Sequence, residues 1–263
     1  MPPCHDLLLT IARCPIDPHA PEDRELCRPI ITQPEQTPVF QLAEPWSGRL
    51  DSAPLLFISS NPSINPDEDA PRHPGHWPDD RIADFFRHRF EPASRWVDDR
   101  RRPRLTTGSY APRAVPFWGS CVARAAEALD RPGKDIRPGI DFALTEVVHC
   151  KSKKEKGVHR ACPRCVGRHL EPVLALAVAP VVIVFGKVAG PVIRTALTEV
   201  ADGPAGLCEG ILGRRRRLVA FLPHPNAHGG KKSIVASTGP EGLSRIRAAL
   251  AVTRSGVRSA PRR

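Results

Sequence analysis

Four short runs of this chain are mostly apolar, with no helical period, and are bounded by turn residues. They are 53–59 (APLLFIS), 141–150 (DFALTEVVHC), 180–186 (PVVIVFG) and 214–223 (RRRRLVAFLP). Runs of this length, rich in Val, Ile, Leu and Phe, predict strands of a parallel sheet covered on both faces. Between them the apolar spacing becomes helical. Helices are predicted over 79–90, where an Asp opens the run, and over 115–130, where Pro116 is tolerable in the first turn. Further helices are predicted over 162–179, 187–200 and 239–252. A short helix is expected within 5–14. The prolines of 15–29 (PIDPHAPEDRELCRP) argue against one there.

Strands alternating with helices predict an α/β fold. The expected architecture is a three-layer α/β/α sandwich around a central, mostly parallel, four-stranded sheet. It would occupy 51–253, after a loop-rich extension at 1–50 and before a basic tail at 254–263. In such sheets ligands sit beyond the carboxyl ends of the strands. The unusual residues lie there: Asn61-Pro62-Ser63, His149-Cys150-Lys151 and His224-Pro225-Asn226.

Composition adds three constraints. With 263 residues, 41% of them hydrophobic, the chain can bury a sizeable core. No apolar run reaches the ~20 residues of a membrane span. The opening MPPCHDLLLT lacks the basic region of a signal peptide, so a cytoplasmic, monomeric protein with no membrane partner is expected. The net charge of +11, from 39 Lys and Arg against 28 acids, favours a polyanionic partner, DNA foremost. The competing account is the Arg-rich, Pro-rich usage of a GC-rich genome. The eight cysteines, in a cytoplasmic setting, read as thiols or metal ligands rather than disulfides.

The pair "SSNPS" and "HPNAHGG" narrows the chemistry. Asn61 and His224 each follow a predicted strand, and each precedes a proline. With the middle segment from Ala143 to Gly186, they resemble the uracil-DNA glycosylase superfamily, whose first motif reads like Gly-x-Asn-Pro-Gly and whose last reads like His-Pro-Ser-Pro. The middle is similar to the iron–sulfur branch. The resemblance covers roughly residues 50–250. It departs at Ser59 and Ser60, where a Gly is usual, and at Asn226, where a Ser is usual.

The resemblance implies a monofunctional DNA glycosylase that turns a base out of DNA and hydrolyses its N-glycosidic bond. Asn61 would position the attacking water, and His224 would donate to the base oxygen. Ser60, Pro62, Glu146 and Asn226 would contact the base. Glu146 stands where many relatives carry an Asn. An ionised Glu only accepts hydrogen bonds. It therefore suits the N4 amino group of cytosine better than the O4 of uracil. Unmodified cytosine is excluded, because its removal would destroy the host genome. A hydroxymethylated or glucosylated cytosine of phage DNA is the expected substrate, with uracil as the alternative and a catalytically inactive DNA binder as the rival class. Equally open is an ion pair between Glu146 and a nearby cation. Asp67, Glu68 and Asp69 either supply a general base or solvate their loop.

Phosphate contacts are expected from Lys151, Lys153, Lys231, Lys232 and Ser233, flanking the site. Trp77, Phe85 and Phe86 are candidates for stacking on a flipped base, unless they are core. The resemblance implies a [4Fe–4S] cluster held by Cys150, Cys162 or Cys165 with N-terminal cysteines such as Cys14. A zinc site or plain thiols fit the same residues.

Overall fold

The computed structural model describes residues 3–14, 21–36, 40–73, 75, 77–91, 93–227 and 232–258. In chain order the elements are α1 (Pro3–Arg13), α2 (Pro21–Ile31), β1 (Phe40–Gln41), β2 (Leu55–Ser59), β3 (Arg72–His73), α3 (Asp79–His88), α4 (Pro116–Leu129) and β4 (Phe142–Glu146). Then come α5 (Val158–Cys165), a π-helical turn (Val166–Leu170), α6 (Glu171–Leu176), β5 (Val181–Phe185), α7 (Gly186–Ala196), β6 (Thr198–Asp202), β7 (Leu207–Leu212), β8 (Arg215–Leu222) and α8 (Ile234–Arg258).

The protein is α/β, with a mostly parallel central sheet flanked by helices. The four expected strands form the parallel part, ordered β4-β2-β5-β8. The sheet has six strands rather than four, because β7 and β6 add antiparallel partners beyond β8. The helix expected over 187–200 accordingly stops at Ala196, and Thr198–Asp202 is the edge strand β6. All five β6 residues are exposed, which erases the hydrophobic signal that marks a strand.

The N-terminal region is also more regular than expected. Residues 21–31 form α2 despite the prolines. Pro21 occupies the first position, where an N–H would have no partner, and Pro29 falls near the end. α2 lies on α5, and α1 lies on α3 and α6. Leu8, Ile11 and Ile30 belong to the same core as the central strands. α8 bends where Gly239 adopts φ 72° and ψ 172°.

That core explains the strand sequences. Leu55–Ser59 and Val181–Phe185 are buried at every position, which requires side chains suited to both faces. Phe57 stacks on Phe185, with ring centroids 5.5 Å apart, and meets Phe142 edge-on at 5.1 Å. The consequence for function is topological. β2 has β4 on one side and β5 on the other, so successive crossovers run in opposite directions and open a crevice at the carboxyl end of β2.

Candidate active site

Asn61 lies two residues beyond β2, at the mouth of this crevice. Its side-chain nitrogen donates to the Pro62 carbonyl at 2.9 Å and Ser152 Oγ at 2.9 Å, with the Cys150 carbonyl at 3.3 Å. These acceptors fix the amide orientation, committing the nitrogen to the loop wall and leaving Oδ1 as the group that can hold a water. The wall itself is rigid. The loops after β2 and β4 stay hydrogen-bonded, with Val148 N–H donating to Ser60 O and Ser152 N–H to Pro62 O, each at 3.0 Å.

His224 enters from β8. Its Nδ1 accepts the Asn226 N–H at 3.2 Å. A neutral ring therefore carries its proton on Nε2, leaving that nitrogen as a donor. Burial holds the ring below the ordinary histidine value, and Glu155 pulls weakly the other way. Gly186, at φ 84°, gives the ring its room: a Cβ there would stand 3.3 Å from His224 Cβ. Phe117 stacks on the ring, with centroids 5.8 Å apart and planes 15° from parallel.

These residues share two connected spaces. An inner chamber of about 230 Å³ is lined by Asn61, Pro62, Phe117, Glu146, His224 and Asn226, among others. It is smaller than the ~300–1,000 Å³ of sites for drug-sized ligands, and suits a single ring. An outer groove of about 850 Å³ shares Asn61, His224 and Asn226 and adds Ser60, Lys154, Glu155 and Lys187. Ser60 thus faces the groove, and it is Ser59 that lines the inner chamber.

A buried charge network forms one wall of the inner chamber. Glu44 pairs with Arg89 and, at 3.7 Å, with Lys151, which lies 3.6 Å from Glu68. Ser47 Oγ also donates to Glu44 at 2.8 Å. Burial opposes the Glu44 charge, but Arg89 and Lys151 overcome it and hold Glu44 below the ordinary carboxylate value. Two cations thereby balance two carboxylates.

Glu146 is the fifth member. Register sets it beside Ser59, and it is 4% exposed, with Oε2 buried and lacking a hydrogen-bond partner. Burial and then the Glu44 charge push it well above the ordinary value, against the pull of Arg89 and Lys151. The network is already neutral without it. Burial and the Glu44 charge thus favour the protonated form of Glu146, against the premise of an ionised side chain. A protonated carboxyl offers both a donor and an acceptor.

A pH dependence follows. The folded-state pKa of Glu146 lies above its unfolded value, so its contribution to stability is complete below 4.5 and is lost as pH rises toward the folded value. Glu146→Gln removes this loss. Its melting temperature should gain on the wild type as pH is raised above 4.5, whereas a gap independent of pH would contradict a raised Glu146 pKa.

Other expected residues fall elsewhere. Lys151 is 2% exposed and joins the chamber wall, so it does not meet phosphates from the surface. Lys153 is exposed and pairs with Glu35 at 3.0 Å. Ser233 caps α8, its Oγ accepting the Ala236 N–H at 3.1 Å. The N–H groups of Ile234 and Val235 donate to the Glu127 carboxylate, each at 2.8 Å, so this helix end already holds an anion. Lys232 precedes it, half-buried, and Lys231 lies outside the described residues. Phe85 and Phe86 are core, and Trp77 packs on Phe85 and Trp96. The aromatic rings lining the chamber are Phe117 and Trp118, whose signal was their place in the Pro-marked first turn of α4.

The cysteines converge in part. The charges of Cys165, Cys27 and Cys14 all bear on Cys150, which burial first pushes well up. Burial raises Cys165 to about 12, with Cys14, Cys27 and Cys162 adding to the effect and the His149 N–H, 3.3 Å from Sγ, opposing it. Cys14, Cys27, Cys150 and Cys165 are thus neighbours, and Cys162, which also bears on Cys165, lines a groove with Lys187 and Val192. Among the described residues, no group of three or more His, Cys, Asp or Glu side chains stands at metal-ligating spacing. The four thiols suit a [4Fe–4S] cluster or zinc by donor type, and would have to deprotonate and draw together to bind either.

No protein-family model matches the chain, and a search of curated proteins finds no significant match. No helix among the described residues is long and apolar enough to cross a membrane.

Proposed function

We propose that the protein is a DNA glycosylase, taking a flipped base into the inner chamber and hydrolysing its N-glycosidic bond to leave an abasic site. One observation carries this reading: Asn61, Phe117, Glu146 and His224, from four separate parts of the chain, line a single ring-sized chamber at the switch point of the sheet. The chamber opens into a groove bearing Lys154 and Lys187. Flipping costs a few kcal/mol, which stacking on Phe117 and contacts to the base edge offset. Asn61 Oδ1 holds the water, and the Nε2–H of His224 donates to the base oxygen as charge develops there.

Our preferred substrate is a modified cytosine, on grounds that Glu146 supplies. A neutral carboxyl can accept from cytosine N4–H while donating to N3, but it can equally donate to uracil O4 and accept from N3–H. Recognition alone does not separate the two. Chemistry does, because cytosine is a poor leaving anion and its departure gains from protonation at N3. A carboxylic acid can deliver that proton; the amide of an Asn cannot. A glycosylase for hydroxymethylated or glucosylated cytosine would act against phage DNA. Cys14, Cys27, Cys150 and Cys165 would hold a structural [4Fe–4S] cluster or zinc, fastening the N-terminal helices to α5.

Duplexes carrying uracil, cytosine, hydroxymethylcytosine or glucosylated hydroxymethylcytosine should be incubated with the protein and assayed for abasic sites by alkaline cleavage. Cleavage at modified cytosine is expected. Cleavage at uracil alone would overturn the substrate and keep the class. No cleavage of any, with DNA still bound, would favour the inactive binder.

A further inference from the structure

We infer that Glu155 is the carboxylate that accepts the proton of the attacking water, an assignment that rests on the glycosylase reading. Glu155 lies in the loop after β4 and lines the outer groove beside Asn61 and His224. Ser60 Oγ donates to its Oε1, so the carboxylate is anchored to the residue immediately before Asn61. The serine standing where a glycine was expected thus has a task in this groove. The backbone points the same way. Lys154 and Glu155 both adopt left-handed conformations, at φ 55° and 56°. Two such non-glycine residues in succession are strained, and strain of this kind collects at functional sites.

Of the acids named in the sequence, Asp67 is exposed and lines neither space, and the rest are engaged elsewhere. Glu44 and Glu68 pair with Arg89 and Lys151, and Asp69 with Arg104 at 3.7 Å. Glu146 faces the base. Among the described residues lining the outer groove, Glu155 is the only acid, beside Lys154 and Lys187. A lone carboxylate in a cationic groove weakens phosphate binding, so it needs a compensating role. Cleavage of an N-glycosidic bond provides one, because the sugar becomes positively charged as the base leaves. The water oxygen bonds to C1′ while the C1′–N1 bond breaks with its electron pair going to the base. One water proton passes to Glu155, and the base receives a proton from Glu146. Exchange with solvent then restores both residues. One carboxyl group giving a proton to the leaving group and another taking one from the water is the division of labour that hydrolysis of a glycosidic bond uses.

The test is Glu155→Gln, which preserves the acceptor for Ser60 and removes the charge. Single-turnover base release should fall about 100- to 10,000-fold, while DNA affinity stays equal or tightens. Ser60→Ala should show a smaller loss of the same kind. Added formate should partly restore release by Glu155→Ala, which a loop-shaping role would not allow. A fully active Glu155→Gln alongside an active wild type overturns this assignment alone. So does an Glu155→Ala variant that formate leaves inert. A wild type that releases no base from any of the four duplexes overturns the glycosylase reading, and this assignment with it.

Discussion

His224→Ala should slow base release by a factor of about 100 to 1,000 and leave DNA binding nearly unchanged. The ring has one defined donor, since the Asn226 N–H occupies Nδ1 and leaves the proton on Nε2. It is also held in place, packed on Phe117 and close to the backbone of Gly186. A donor fixed before the reaction stabilises charge as it appears without first having to reorient. Alanine removes that donor but none of the lysines of the groove, so the loss should fall on the single-turnover rate rather than on the dissociation constant. Equal rates for variant and wild type, on a DNA that the wild type cleaves, would remove His224 from the chemistry.

Glu44→Ala should have the largest effect on stability. It strands Arg89 and Lys151 in the interior with only Glu68 to balance them. Removing one partner of a buried ion pair costs about 3–5 kcal/mol, a fall in melting temperature on the order of 10 °C for a chain of this size. The effect should extend to Glu146. The charge of Glu44 is the second cause of its raised pKa, and without it Glu146 can ionise and take over as counter-anion. That transfer would recover part of the stability while depriving the chamber of its acid. Thermal unfolding of Glu44→Ala and of Glu44→Ala with Glu146→Gln separates the two effects: the double variant should be the less stable at neutral pH, beyond the sum of the single changes. Strict additivity would show that the two carboxylates do not share the same cations.

Much of this was legible in the sequence, for physical reasons. β2 and β5 are buried on both faces, and only strands of that kind need Leu-Leu-Phe-Ile or Val-Val-Ile-Val. Asn61 and His224 could be placed because turn residues directly after a buried parallel strand have to lie at its carboxyl end. What escaped depends on partners distant in the chain. Lys151 reads as one of a run of surface lysines until Glu44 and Glu68 meet it from more than eighty residues earlier. Glu146 reads as an anion until its burial and the charge of Glu44 are known. β6 carries no apolar pattern, since it exposes every residue at the sheet edge. Glu155 sits in a lysine-rich stretch that resembles a solvated loop, and nothing local announces its bond to Ser60.

The segment 44–47 shows how closely the pocket is tied to the integrity of the sheet. β4 is an edge strand, yet its outer rim is sealed: Ser47 and Leu144 exchange hydrogen bonds of 2.8 and 2.9 Å, and Glu44 N–H donates to His149 O at 2.8 Å. Thr145 Oγ1 donates to the Pro45 carbonyl at 2.8 Å. The strip that shields this rim from intermolecular pairing is also the one that carries Glu44 into the chamber wall. A change that displaces this segment would therefore disturb the chamber wall and expose the edge strand at once. Altered specificity is more safely sought at Phe117 or Asn226, which border the same chamber without guarding an edge.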